Sequence, residues 1–204
     1  MKRSAEKKER ALGMKLFLKG GRCNSPKCAT IRRPYRPGMH GKGRRRVLSE
    51  YGIQLMEKQR VKVSYGLREI QLTNIVNKAL KGKGNTGETI VKLLESQFSN
   101  VIFRLGLASS RVVARQLISH GHIFVNGKKM TASSYSVEVG DVISIKPSSR
   151  QLLIFNDLPN IIKKYEAPNW LELDKEKLEG KVKNSPINVE MPFDINLIID
   201  SYSK

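Results

Sequence analysis

Residues 98–145 read FSNVIFRLGLASSRVVARQLISHGHIFVNGKKMTASSYSVEVGDVISI, and the local signals packed into them decide the fold. Ser109 or Ser110 is a natural helix N-cap, because a short side-chain oxygen can accept an unpaired N–H of the first turn. From Arg111 to Ile118 the apolar Val113, Leu117 and Ile118 recur at helical spacing, which leaves Arg111, Arg115 and Ser119 elsewhere on the cylinder, available to a ligand. Gly121 ends that helix, since glycine enters the left-handed conformation without a Cβ penalty. His122 to Val125 then reads as a strand, and Asn126-Gly127 is the strongest short hairpin signal because both residues tolerate positive φ. Lys128 and Lys129 follow at once, so a basic helix leads into a hairpin whose turn is flanked by lysines. Tyr135, Val137 and Val139, then Gly140-Asp141, then Val142 to Ile145, predict two further short strands joined by a turn.

Working outward, Leu55, Met56, Val61, Val63 and Leu67 interleave with charges from Ser49 on, and Ile70, Ile75, Val76, Ala79 and Leu80 recur at helical spacing. Gly66 separates these two helices, and the KGKGNTGET stretch ends the second. A third helix starts near Thr86 to Glu88, with Ile90, Val91, Leu93, Leu94 and Phe98 on its apolar side. Gly82 to Gly87 matches G-x-G-x-x-G, but a helix rather than a strand precedes it, and Glu88-Thr89 stands where a phosphate loop needs Lys and Ser or Thr. The residues read as an ordinary helix-helix connection. Pro159 should break the otherwise helical run from 152 to 165, and Trp170 reads as a packing anchor among apolar and acidic neighbours.

The 204 residues carry 38 Lys and Arg against 18 Asp and Glu, a net charge of +20. Such a charge suits a polyanion, whose condensed counterions are released on binding. A membrane is disfavoured, since no stretch approaches the ~18 consecutive apolar residues of a spanning helix. Residues 1–46 hold 16 basic and 2 acidic residues, whereas residues 151–204 hold 7 and 9. The C-terminal quarter is therefore expected to face protein or solvent. Two cysteines, Cys23 and Cys28, are too few to staple a secreted fold and point to a reducing, cytoplasmic location.

Residues 20–46, GGRCNSPKCATIRRPYRPGMHGKGRRR, lack any sustained period and should not make a core of their own. They read as an arm ordered by lying against phosphates, with Arg32, Arg33, Arg36, Lys42, Arg44, Arg45 and Arg46 as contacts. Arginine suits that task because its planar fork takes two phosphate oxygens and its face stacks on bases.

At RLGLASSRVVARQLISHGHIFVNGKKM and SYSVEVGDVISI the chain resembles the S4-type RNA-binding domain. EYGIQLMEKQRVKVSYGLRE, KGNTGE, LLESQFSNVIFRLG, PNWLELD and LIIDSYSK resemble the corresponding parts of the ribosomal S4 family, so the likeness spans nearly the whole chain. The architecture expected is α+β: a basic N-terminal arm over 1–48, a helical domain over 49–92 joined by the tail 190–204, and an inserted S4-type RNA-binding domain with a small antiparallel sheet over 93–189, its core at 101–146. The resemblance implies a structural constituent of the small ribosomal subunit and a primary rRNA-binding protein at the 5′ domain, nucleating assembly of the subunit body and contributing to translational accuracy. It also implies contact with the neighbouring small-subunit protein S5 and with mRNA where it enters the subunit. The RNA-contact set expected is Arg32, Arg33, Arg36, His40, Lys42, Arg44, Arg45, Arg46, Lys58, Arg104, Ser110, Arg111, Arg115, Gln116, Ser119, His120, His122, Asn126, Lys128 and Lys129.

KLFLKGGRCNSPKCA resembles the family subset with a four-cysteine zinc knuckle, but Glu6 and Glu9 stand where the upstream pair would be. Two thiolates and two exposed carboxylates would bind zinc poorly, so no metal, no other cofactor and no small-molecule substrate are expected. His120 and His122 flank Gly121, where helix-end capping and RNA contact are equal explanations. An RNA-modifying enzyme bearing the same module would need a second, catalytic constellation, and the sequence offers none. A duplex-DNA reader would want base-reading Asn, Gln and Arg on a recognition helix, whereas the hairpin lysines suit backbone contacts.

Overall fold

The computed structural model describes residues 4–44, 47–82, 84–163, 165–187 and 189–202. In chain order these form α1 (Ala5–Leu12), α2 (Ala29–Arg32), α3 (Glu50–Tyr65), α4 (Glu69–Lys81), α5 (Thr86–Glu95), α6 (Phe98–Arg104), α7 (Arg111–Ser119), β1 (Ile123–Val125), β2 (Lys128–Lys129), β3 (Val142–Ile145), α8 (Leu153–Asn156), α9 (Leu158–Lys163), β4 (Leu171–Asp174), β5 (Glu179–Val182) and α10 (Ile195–Tyr202). The chain divides into two units, one of Met1–Ile90 with Glu190–Lys204 and one of Val91–Val189. The class is α+β. No described helix is long and apolar enough to cross a membrane.

In the first unit, Ser49 caps α3 by accepting from the Gly52 N–H at 3.2 Å, and Gly66 ends the helix at φ 61°. Leu72, Val76 and Ala79 form the buried stripe of α4 at the i, i+4, i+7 spacing of one helical face. Asn85 starts α5 by accepting from the Gly87 N–H at 2.9 Å, so the glycine-rich connection works as a helix cap. The chain returns through α10, which packs on α3 and α4 and buries Ile198. Glu69 ties these helices together. Its carboxylate pairs with Lys58 and with Lys62 at 2.8 Å, and accepts from the Tyr202 hydroxyl at 3.2 Å.

The segment preceding α3 is better built than its composition suggests. Leu16 and Leu18, just upstream of residues 20–46, are buried, and so are Cys23 and Cys28 within them. Buried in this way, the reduced cysteines act as small hydrophobes. Glu9, expected to be exposed, is 1% accessible; its Oε1 accepts from the N–H groups of Leu16 at 3.1 Å and Leu18 at 3.0 Å. Arg60 of α3 donates to the Leu12 carbonyl at 3.2 and 3.3 Å, which fastens the end of α1 to α3.

The second unit stacks helices on a five-stranded antiparallel sheet of order β2-β1-β3-β5-β4. Its register sets Ile123 opposite Ile145, Val125 opposite Ile143 and Leu171 opposite Val182. These side chains share one core with Phe98, Ile102 and Leu105 of α6 and Leu117 and Ile118 of α7. Burying a side chain of this size contributes roughly 1.5–3 kcal/mol, and the loss of chain entropy offsets most of the sum. Gly180 is required at its place in β5, since a Cβ there would lie 2.4 Å from Leu105 Cδ1. Trp170 is buried in this core, as the sequence suggests.

Three expectations are corrected here. Phe98 belongs to α6, because the chain leaves the helix at Ser96-Gln97 to bridge Ser136. That bridge also explains why Tyr135 to Val139 does not join the sheet: the Phe98 N–H bonds the Tyr135 carbonyl at 2.8 Å and the Val137 N–H bonds the Ser96 carbonyl at 2.9 Å. Part of the acidic C-terminal quarter supplies β4 and β5, with Leu171 and Val182 inward and Glu172 and Lys181 turned to solvent. The break expected at Pro159 falls just ahead of it, at Asp157 between α8 and α9.

Hydrogen bonds from Lys58 and Lys62 hold the Glu69 carboxyl down to about 2 from 4.5. A depressed carboxyl stabilises the fold fully above its unfolded pKa, and that contribution is lost as pH falls through the folded value. The urea midpoint of the wild type should therefore exceed that of Glu69→Gln at pH 7, and the gap should close between pH 4.5 and about 2. A gap that is constant across this window would refute the linkage.

Candidate nucleic-acid interface

Three of the expected residues, His120, His122 and Lys129, come together where α7 ends and the hairpin begins. Gly121 adopts φ 75°, and the Lys129 side chain lies across it, close enough that a Cβ on Gly121 would sit 2.2 Å from Lys129 Cε. His120 and His122 stack on either side of that glycine with ring centroids 6.0 Å apart. His122 Nδ1 is 2.9 Å from Ser149 Oγ, and its ring meets the edge of Phe155, so its orientation is fixed by two neighbours. Lys128 is exposed beside Lys129 on β2. Helix end and hairpin thus meet at Gly121, with two imidazoles and the Lys129 ammonium grouped there, while Lys128 projects to the opposite face of β2.

Asn126 and Gly127 take φ values of 49° and 75°, as the predicted turn requires. The Asn126 side chain serves the hairpin itself: Oδ1 accepts from the Val142 N–H at 2.9 Å and Nδ2 donates to Asp141 Oδ1 at 2.7 Å. Asp141 Oδ2 in turn accepts from the Glu138 N–H at 2.9 Å. Ser110 is likewise engaged locally, being buried and accepting from the Val113 N–H at 3.3 Å. Gln116 and Ser119 lie exposed on α7, with the Ser119 hydroxyl donating to the Gln116 carbonyl at 2.9 Å.

The arginines at the other end of α7 are braced. Arg104 donates Nε and Nη2 to the two oxygens of the fully buried Glu95, both at 2.9 Å. Arg111 donates Nε to Asn100 Oδ1 at 2.7 Å, and its guanidinium lies 4.7 Å over the Phe103 ring. Arg115 is half-buried, and burial pushes its guanidinium below the usual range.

In the first unit, Arg32, Arg33, Arg36, His40, Lys42 and Arg44 are all exposed, while Arg45 and Arg46 lie outside the described residues. Arg10 positions this segment. It donates Nε to the carbonyls of Arg33 and Tyr35 at 3.0 Å, and its guanidinium lies 4.9 Å from the Tyr35 ring centre, with Lys42 also over that ring at 5.3 Å. Lys58 is turned inward to Glu69 and the Tyr202 ring. The sequence reading overlooked Lys7, Arg10, Arg22 and Lys27, which line one concavity with Arg32 and Arg33. The spacing of Lys7 and Arg10 on one face of α1 was the available signal. Glu6 pairs with Arg22 at 3.0 Å, and among the described residues no group of three or more His, Cys, Asp or Glu is placed to hold a metal.

Two family profiles match the chain: "Ribosomal protein S4/S9 N-terminal domain" over residues 1–95 and "S4 domain" over residues 99–143. A basic helical unit and a helix-hairpin unit of this kind define a non-catalytic RNA-binding protein of the ribosomal type. Small ribosomal subunit protein uS4 of Caldicellulosiruptor saccharolyticus is 49% identical over 194 residues, covering 94% of this chain and 93% of the relative. The same protein of Clostridioides difficile is 47% identical with the same coverage, and that of Geotalea daltonii is 45% identical over 191 residues, covering 93% and 91%. The chain belongs to the uS4 family of small ribosomal subunit proteins.

Asn126→Ala removes an acceptor from Val142 and a donor from Asp141 and places a Cβ-only residue at positive φ. It should lower stability by about 1–3 kcal/mol in urea denaturation. Asn126→Gly keeps the turn geometry and should lose less than the alanine variant. Equal losses in both would assign the effect to the side-chain bonds alone.

Proposed function

We infer that this chain works by holding rRNA with cations that its own fold has already set in place. As a member of the uS4 family it is a structural constituent of the small ribosomal subunit, located with the ribosome in the bacterial cytoplasm, and not an enzyme. The finer reading is that it binds the 5′ domain of the small-subunit rRNA directly, nucleates assembly of the subunit body and contributes to translational accuracy. The observation that carries it is the grouping of His120, His122 and Lys129 about Gly121, where helix and hairpin offer donors and stacking faces together. Backbone phosphates and unstacked bases are what such a surface suits.

The segment Arg32 to Arg44 supports a second RNA contact, and mRNA where it enters the subunit is a further polyanion it could meet. For protein S5 as neighbour, the support is the pair Tyr51 and Leu55, one turn apart on the same face of α3 and both exposed despite their size. Clustered apolar exposure of this sort marks a protein contact better than a nucleic-acid one.

Neutralising ~8 phosphates should make affinity for a 5′-domain rRNA transcript fall by about 10³ to 10⁵ between 50 and 200 mM salt. Structured rRNA should still outcompete duplex DNA at the higher concentration; equal competition would overturn the reading. Replacing Lys128 and Lys129 by Gln should weaken rRNA binding and reduce the salt slope by about two, while the urea midpoint stays within error. Unchanged affinity in that folded variant would remove the hairpin from the interface.

A further inference from the structure

We propose that Asn100 is a positioning residue for RNA recognition, passing the fixed orientation of a buried carboxylate to the Arg111 guanidinium. The inference rests on the reading that Arg111 contacts RNA. A carboxylate with no solvent access is costly unless it is paired and fully hydrogen-bonded. Glu95, at the end of α5, has 0% exposure and meets that condition with Arg104 on both oxygens and the Asn100 amide on Oε2 at 2.8 Å.

Asn100 Nδ2 also donates to the Glu95 backbone carbonyl at 2.9 Å, so its two bonds to one residue leave the amide a single orientation. Reversing it would set an acceptor against a carboxylate and a carbonyl, which charge and lone pairs both oppose. Oδ1 is therefore directed away from Glu95, and there it accepts the Arg111 Nε at 2.7 Å. The Phe103 face fixes the guanidinium plane from a second direction, 4.7 Å from the ring centre. Tyr165 closes the arrangement by donating to the Arg104 carbonyl at 3.0 Å. Asn100 itself is 1% exposed, so it cannot act on RNA by touching it.

The consequence is that an arginine side chain, normally among the most mobile, is ordered before any phosphate arrives. Ordering one such side chain in advance is worth about a two- to tenfold gain in affinity. No phosphate contact is added, so the salt dependence should stay as it is.

A double-mutant cycle on the full chain tests this, using a 5′-domain rRNA transcript as probe and reading affinity, salt slope and urea midpoint for Asn100→Ala, Arg111→Ala and the pair. Arg111→Ala should weaken binding and lower the salt slope by about one. Asn100→Ala should weaken binding about two- to tenfold with the slope unchanged, and should weaken it no further once Arg111 is gone. If Arg111→Ala leaves affinity unchanged, the RNA-contact reading of Arg111 fails. If Arg111→Ala weakens binding but Asn100→Ala does not, or if the Asn100 effect persists in full without Arg111, the positioning role fails. Should Asn100→Ala not fold, Arg111→Lys decides: it keeps the charge but has no Nε for Asn100, so binding equal to wild type would overturn the proposal.

Discussion

A chain with 38 basic side chains must bring like charges together before any polyanion is present, and its few acids are set where they restrain that repulsion. Glu9, Glu57, Glu95 and Asp141 are all buried, which acidic residues in proteins rarely are. Each sits at a junction: Glu9 gathers the backbone after α1, Glu57 pairs with the Arg60 that reaches Leu12, Glu95 joins α5 to α6, and Asp141 closes the hairpin. Glu69 does the same at the surface for α3, α4 and α10. Where the partner is a cation, as for Glu57, Glu95 and Glu69, attraction at short range offsets repulsion across longer, screened distances.

That division of labour sorts the cations into two kinds. Arg60, Arg104 and Lys58 look like RNA ligands by type, yet each spends at least part of its capacity on an internal carboxylate. Lys128, Lys129, Arg32 and Arg36, by contrast, stand exposed at the surface. Arg10 belongs to both kinds, since its bonds are to the carbonyls of the very segment that carries the exposed arginines.

How much of this could be read in the sequence depends on how far apart the cooperating residues lie. Ser110, Gly121 and Asn126-Gly127 announce α7 and the hairpin because capping and positive φ are local demands, and the helices around Gly66 follow from their period. Tyr135 to Val137 misleads because its alternation is genuine, while its partner is Gln97 on the far side of two helices. The strands β4 and β5 escape because Leu171, Leu173, Gly180 and Val182 alternate across a stretch crowded with Lys and Glu. The surface lysines of β2 and the exposed arginines of residues 32–44 were legible as charges. The engagement of Lys58 by Glu69 and the pinning by Arg10 were not, since bonds that span 11 to 26 positions leave no periodic trace.

The interleaving of the two units has a temporal side. Val91–Val189 is continuous, so every strand and helix of that unit leaves the synthesising ribosome in one run, and it can close as soon as β5 is made. The face of α3 that receives α10 must wait until residues 195–202 emerge, long after α3 itself. The inserted piece is thus the one that can mature first, and the surrounding piece stays ajar while it does. For a basic polypeptide born amid nucleic acid, that sequence of events offers one finished unit while the other is still taking shape.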